Sequence, residues 1–258
     1  MLIEFDPDRS AVIEPVPQPV PGFPEICIGI FSKAIVDEIA EKYHGQVIGQ
    51  SNFCTGPVYV YKICVEGTEI ALFMPHVGEP AASGFIEEIW PLGGKYFVFA
   101  GACGVLRHDI ADGHLILPTA ALRDEGLSYH YLPPSEEVVL DPAELDCARR
   151  ALEELGLPYV EGKTWTTDAF YRETRGKMAK RKDQGCICVE MECAGLAAVA
   201  RFRGLRFSQF FWAADNLDAP EWDARNLALQ GAGLSEKVFR AAVETGKNLQ
   251  TLGTPPAE

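Results

Sequence analysis

From residue 26 onward, short runs rich in Val, Ile, Phe and Tyr alternate with segments whose apolar residues recur at helical spacing. Strand-like runs fall at 26–31, 58–65, 69–75, 96–101, 114–119, 186–190 and 206–213. Helical patterns fall at 34–43, 80–92, 142–155, 169–182, 192–202 and 235–249. That alternation restricts the chain to an α/β architecture, because each crossover helix returns the chain to the same sheet. Glu66-Gly67-Thr68 joins two of the strands as a hairpin, so the sheet is mixed rather than purely parallel. Punctuation supports several helices: Ser32 caps the first, Asp141-Pro142 opens the third with Gly156 beyond its end, and Asp168 is placed to cap the fourth.

No repeat or break in composition divides the 258 residues. The expectation is a single α/β domain over 26–250, a mixed central β-sheet flanked by helices on both faces. Pro7, Pro15, Pro17, Pro19, Pro21 and Pro24 make 1–25 an extended arm, and 251–258 form a flexible tail.

The formal charge of −14 is spread along the chain and argues against nucleic acid as a partner. The basic run from Arg172 to Lys182 is interleaved with Glu173 and reads as a solvated helix face. No apolar run approaches the roughly 20 residues of a membrane span, and the first ten residues lack the pattern of a secretory leader. Cys27, Cys64, Cys103, Cys186, Cys188 and Cys193 lie in apolar contexts without zinc-ligand spacing. Reduced thiols and a cytoplasmic location follow as expectations, with no metal.

In open α/β sheets ligands sit beyond the carboxyl ends of strands, and four such ends carry polar or glycine-rich residues. In FVFAGACGVL (97–106) a strand runs into Gly101-Ala102-Cys103-Gly104, where backbone can approach a ligand or simply pack in a tight turn. TAALRDEGLSYHYLPP (119–134) is dense in polar and aromatic residues, as a loop over a ligand or a subunit interface would be. In TWTTDAFYRETR (164–175), Phe170 and Tyr171 suit the core, or alternatively a platform for a planar heterocycle. QFFWAADNLD (209–218) ends a buried strand in Asp215, placed either to cap a turn or to act as an acid whose partial burial raises its pKa. A further junction, GCICVEMECAGLAAVARFRG (185–204), sets Glu190 and Glu192 where a core strand feeds a core helix, although buried carboxylates need partners.

Taken in order, VEMECAGLAAVA, FAGACGVL, TAALRDEGLSYHY, TTDAFY and AADNLD resemble the motifs of the nucleoside phosphorylase/uridine phosphorylase superfamily over about residues 26–245. The resemblance implies cleavage of the N-glycosidic bond of a nucleoside, by a pentosyltransferase of nucleoside metabolism and purine salvage that self-associates as a dimer, trimer or hexamer. It implies that Glu192 chelates the ribose hydroxyls, with Met191 and Glu190 beside it. Phe170 would stack on the base, Ala102, Cys103 and Gly104 would line the base pocket, and Asp215 would protonate a departing purine. No cofactor is implied beyond inorganic phosphate as co-substrate.

The sequence departs from the family pattern on the phosphate side. Phe99 stands where an arginine is expected, Ala102 replaces a hydroxyl residue, and IFSKAI replaces a glycine- and arginine-bearing loop. A phosphate dianion needs several donors or cations. Lys33, His76 and Arg123 are the substitutes the sequence offers. Phosphorolysis is therefore the leading expectation. A phosphate-independent nucleosidase and a nucleoside-binding relative with little turnover are the alternatives.

Overall fold

The computed structural model describes residues 5–255. Residues 1–4 of the arm and 256–258 of the tail lie outside the described residues. The rest of the arm up to residue 24 contains no helix or strand, as its prolines dictate. Backbone N–H groups of Gln18 and Val20 donate to Pro91 and Leu92 carbonyls at 2.9 Å, which lays the arm against the body.

The first half builds one wing of the sheet. β1 (Ile26–Ile30) is wholly buried and leads into α1 (Lys33–Lys42), whose first turn is capped by the Ser32 hydroxyl. β2 (Gln46–Phe53), β3 (Gly56–Val65) and β4 (Thr68–Phe73) form an antiparallel meander, with β4 returning parallel to β1. Glu66 and Gly67 have φ of 50° and 84°, the two positive angles of the tight hairpin turn that the sequence signals. α2 (Glu79–Ile89) then leads to β5 (Tyr96–Val105).

The second half contributes β6 (Leu115–Asp124), β7 (Glu137–Val139), α3 (Pro142–Glu154), β8 (Tyr159–Thr167), α4 (Arg175–Asp183), β9 (Cys186–Glu190), α5 (Cys193–Arg203), β10 (Arg206–Asn216) and α6 (Ser235–Thr251). Among the described residues these make a mixed ten-stranded sheet in the order β10-β6-β8-β9-β5-β1-β4-β3-β2, with β7 on β6. β10 also pairs β5, so β5, β10, β6, β8 and β9 form a closed circuit from which β1, β4, β3 and β2 extend as a wing. α1, α3 and α6 pack together against β1, β5 and β10, while α2 and α5 form a separate pair with α5 over β6, β8 and β10. The expected architecture is therefore the one observed.

Four details depart from the sequence reading. β2, β7 and β8 carry no apolar alternation strong enough to announce them, because β2 lies mostly exposed and β8 starts half-exposed. Asp168 does not cap a helix: residues 170–172 form a single 3-10 turn, α4 begins only at Arg175, and the Thr174 side chain caps it. Burial raises the Asp168 pKa, with Glu125 adding to the rise and the Gly126 backbone opposing it. Cys64 is exposed, because its position on β3 points to the solvent face of the meander; all eight cysteines are free. Finally, β6 continues through Arg123 and Asp124, so the start of the polar stretch at 119–134 is strand, held by pairing with β8.

Candidate active site

A cavity of about 710 Å³ opens where β5, β9 and β10 end. Its wall includes Ala102, Cys103 and Gly104 from β5, Glu190, Met191 and Glu192 from the β9–α5 junction, Phe170 from the 3-10 turn, and Asp215 from β10. These eight residues, scattered over 114 positions of sequence, are the ones singled out for ribose, base and acid roles.

The β9–α5 junction resolves why two acids sit there. Glu190 is buried and accepts four hydrogen bonds: Thr166 Oγ1 at 2.6 Å and Thr164 Oγ1 at 3.2 Å to Oε1, and the Glu192 and Cys193 amides at 2.7 and 2.8 Å to Oε2. The carboxylate thus supplies the cap that α5 otherwise lacks, since Glu192 as N-cap residue makes no side-chain capping bond. Burial raises the Glu190 pKa, and the four donors oppose the rise.

Glu192 is freed by that arrangement. Its side chain accepts the Gly78 N–H at 2.7 Å through Oε1. With 6% exposure and the charge of Glu190 nearby, its pKa is pushed up to about 8, burial being the larger cause. Glu190 braces the helix and Glu192 faces the cavity.

Asp215 owes its orientation to a bulge. In the β10–β5 pair Ala213 faces Cys103 but Asp215 faces Gly104, so one extra residue is inserted and the carboxylate turns towards the cavity. Gly104 makes room: a Cβ there would lie 3.1 Å from Asp215 Oδ1 and 2.4 Å from Leu217 Cδ1. The Trp222 indole N–H donates to Asp215 Oδ2 at 2.7 Å. Burial raises the pKa of Asp215, and the indole bond opposes it.

Phe170 is 51% exposed at the cavity mouth, not in the core. Its ring lies 4.2 Å from that of Tyr171, both presented by a turn too short to bury them. The aromatic platform reading of this stretch is therefore the one compatible with its position.

The three side chains offered as phosphate ligands do not line the cavity. Lys33 is ion-paired with Asp37 one helical turn on and exposed. His76 Nε2 contacts Thr55 Oγ1 at 3.0 Å while its ring packs on Phe53. Arg123 is buried, its guanidinium donating to the Ser128 and Ser135 hydroxyls and the Pro133 carbonyl and stacking over Tyr129 at 3.8 Å. Phe99 is fully buried among Phe31, Phe73, Phe97 and Phe207. A Cβ on Gly29 would meet its ring at 2.5 Å, so the aromatic ring fills the space beside β1.

Residues that sequence reasoning passed over complete the wall. Glu173, Arg175, Met178, Trp222 and Leu227 lie in stretches read as solvated helix or loop. Burial pushes Glu173 up to about 7, with the nearby Asp215 adding to the rise. Among the described residues Arg175 is the one cationic residue on the wall, and its guanidinium donates to the carbonyls of Leu217, Ala219 and Pro220 at 2.7–3.1 Å.

Glu79 was also missed, an acid in the first turn of α2 being an ordinary surface pattern. It is fully buried: Oε1 accepts the Gly195 N–H of α5 at 2.7 Å, Oε2 has no partner, and Glu125 faces it. Burial raises its pKa well above the usual range. This buried carboxyl ties α2 to α5 beside Gly78, the donor to Glu192. Glu79→Ala is expected to lower stability by about 2–4 kcal/mol through an orphaned amide and a cavity; Glu79→Gln, of the same shape, should stay within about 1 kcal/mol. Thermal melts of the two variants check this.

A mixed α/β domain with an open pocket at its strand ends, walled by the carboxylate of Glu192 and the bulge-aimed acid Asp215, is a small-molecule site of enzyme type. Residues 25–245 match the model of the phosphorylase superfamily, and the chain belongs to that family. It is 30% identical to a guanosine phosphorylase of Halorubrum lacusprofundi over 55% of its length and 58% of that protein. It is 27% identical to a uridine phosphorylase of Salmonella typhimurium over 55% and 62%. The chain thus spans less than two thirds of the length of these curated relatives. A DeoD-type purine nucleoside phosphorylase of Bacillus cereus matches at 26% over 67% of the chain and 72% of that protein. Two solved structures share the fold. An AMP nucleosidase from Bacteroides thetaiotaomicron has TM-score 0.71 and 19% identity, covering 89% and 90% of the two chains. A purine nucleoside phosphorylase from Toxoplasma gondii in complex with immucillin-H has TM-score 0.73 and 20% identity, covering 94% and 100%.

Proposed function

We propose that this protein cleaves the N-glycosidic bond of a purine nucleoside. The observation that carries the reading is the joining of Glu192 and Asp215 in one cavity with Phe170 at its mouth. Loss of the base develops positive charge on the ribosyl ring and negative charge on the base. Ionised Glu192 binds the sugar diol and favours the cationic ring. Met191 packs against the sugar, Glu190 holds the helix start, and the Ala102-Cys103-Gly104 backbone flanks the base. Asp215, whose pKa burial raises, delivers a proton to the purine as it leaves. The relatives' names make inorganic phosphate the first choice of acceptor, with free base and (deoxy)ribose 1-phosphate as products; the proposed reaction calls for no cofactor.

Water is the second reading, and two observations favour it: Arg175, the one cation among the described residues of the wall, is engaged by three carbonyls, and Phe99, at the sequence position where the family pattern has an arginine, is buried in the core away from the wall. The two are separated by incubating the protein with inosine, adenosine, guanosine and uridine, with and without phosphate, and following free base by chromatography. Release that depends on phosphate is the expected outcome for a phosphorylase. Equal release in both conditions assigns water as the acceptor, and no release with any nucleoside overturns the reading of cleavage.

Self-association fits the exposed apolar side chains near the mouth, Tyr171, Trp222 and Leu227, which a second subunit would cover. Free cysteines, two of them exposed, fit a reducing cytoplasm. Among the described residues no helix is long and apolar enough to cross a membrane.

A further inference from the structure

Glu79 is a buried ionisable group for which glycosidic cleavage has no direct use. Its side chain is fully enclosed, Oε1 accepts the Gly195 N–H at 2.7 Å, and Oε2 meets no donor among the described residues. Gly195 is what admits the carboxyl: a Cβ there would lie 2.7 Å from Glu79 Cδ and 2.9 Å from Oε2. The charged and titratable groups around it are Arg123 at the end of β6, Glu125 just after it, Glu190 of β9 and Cys193 of α5.

Of these, Glu125 lies within hydrogen-bonding reach of Glu79. Glu125 has donors of its own. The Ser128 amide donates to Oε2 at 2.9 Å, the Ser128 hydroxyl donates to Oε1, and Arg123 Nε stands 4.0 Å from Oε1. Two buried carboxylates so placed repel each other, whereas a single proton turns their contact into a hydrogen bond. Glu79 Oε2 is the oxygen without a donor, so the proton belongs there. Burial and Glu125 both raise the Glu79 pKa, in keeping with that placement.

The bond has a consequence at the cavity. Gly78, next to Glu79 in the chain, donates its N–H to Glu192 Oε1 at 2.7 Å, and Gly195 stands three residues beyond Glu192 on α5. The start of α2 is thus pinned to the start of α5 at two points. Adjacent residues of one backbone do not move independently, so the first bond sets where the second falls.

We propose that Glu79 and Glu125 share one proton, donated from Glu79 Oε2, and that Glu79 is the positioning residue that holds Gly78 against Glu192. It touches neither sugar nor base. Its effect on ribose binding rests on the reading of Glu192 as the sugar clamp; the shared proton does not.

Protein labelled with 13C at the glutamate carboxyls is titrated by NMR from pH 5 to 9 as the parent, Glu79→Gln, Glu79→Met and Glu192→Gln, the last to identify the Glu192 resonance. Circular dichroism checks that each variant is folded. One resonance should keep the position of a protonated carboxyl from pH 5 to 8 and vanish in Glu79→Gln. The Gly78 N–H lowers the Glu192 pKa, which stands at about 8. Glu79→Met fills the space with no donor and no strong acceptor, so the Glu192 titration should move up by about one pH unit, the worth of one hydrogen bond to a charged group. Glu79→Gln keeps an acceptor for Gly195 and a donor for Glu125, and should leave that titration in place. Inosine affinity by calorimetry at pH 8 should follow, within about threefold of the parent in Glu79→Gln and about tenfold lower or more in Glu79→Met. Absence of the fixed resonance, or its survival in Glu79→Gln, overturns the shared proton. A Glu192 titration or an inosine affinity unmoved in Glu79→Met overturns the positioning role. If the titrations behave as expected and inosine does not bind even the parent, the tie between the helices stands and the nucleoside reading falls.

Discussion

Glu192→Gln is expected to lower kcat/KM for purine nucleosides about a thousandfold, measured by release of free base at saturating co-substrate. The neighbouring Glu190 cannot take over, because its oxygens are engaged by two threonine hydroxyls and two backbone amides. Glu192 gives only Oε1 to Gly78 and keeps lone pairs for a sugar diol. Two charge-assisted hydrogen bonds at about 1.5–3 kcal/mol each amount to about 4 kcal/mol, or roughly three powers of ten. A pH signature accompanies the loss. In the empty cavity Glu192 holds its proton up to about pH 8, whereas the diol binds the carboxylate. Activity should therefore rise with pH up to about 8, and Glu192→Gln should lose that rising limb. Stability runs the other way. A carboxyl whose folded pKa is raised from 4.5 to about 8 favours folding most at low pH, and that contribution is lost as pH rises through this interval. Melting curves across pH 5–9 should accordingly fall less steeply for the glutamine variant.

Asp215→Asn is expected to slow purine release by about 10²–10⁴-fold, the usual worth of a positioned general acid. The carboxyl is aimed by the bulge opposite Gly104 and its pKa is raised by burial, with Trp222 fixing its orientation. Asparagine keeps the shape and has no proton to transfer. The loss should shrink to within about tenfold for nucleosides whose base is already cationic through N7-alkylation, since these leave without protonation. Wild-type rates of Asp215→Asn on every ordinary purine nucleoside would remove Asp215 from the acid role. The comparison of the two leaving groups is what separates acid catalysis from simple damage to the pocket.

Much of this site is legible because its parts are local. The strand-to-helix junction at 186–203, the glycine-bearing end of β5 and the acid ending β10 each carry their own pattern within a dozen residues. The hairpin at Glu66-Gly67 and the caps at Ser32 and Asp141 are equally local, and the fold keeps them. β2, β7 and β8 escaped because strands near an edge or on half-exposed stretches need no alternating apolar code. Asp168 misled because the chain after it makes only a 3-10 turn at 170–172, so that Thr174 and not Asp168 stands at the start of α4.

By itself the sequence determined the α/β class, the mixed sheet and the residues that bring carboxyl chemistry to the strand ends, since periodicity and turn chemistry act over a few residues. Only the tertiary structure decided how those carboxylates divide their roles. Glu190 became a helix brace and Glu192 a free ligand because their donors come from β8 and from the segment before α2. Arg123 was drawn into an internal network, while Glu173 was brought to the wall beside Asp215. Burial and hydrogen-bond supply set what an ionisable group does, and both are properties of neighbours that the chain assembles from afar.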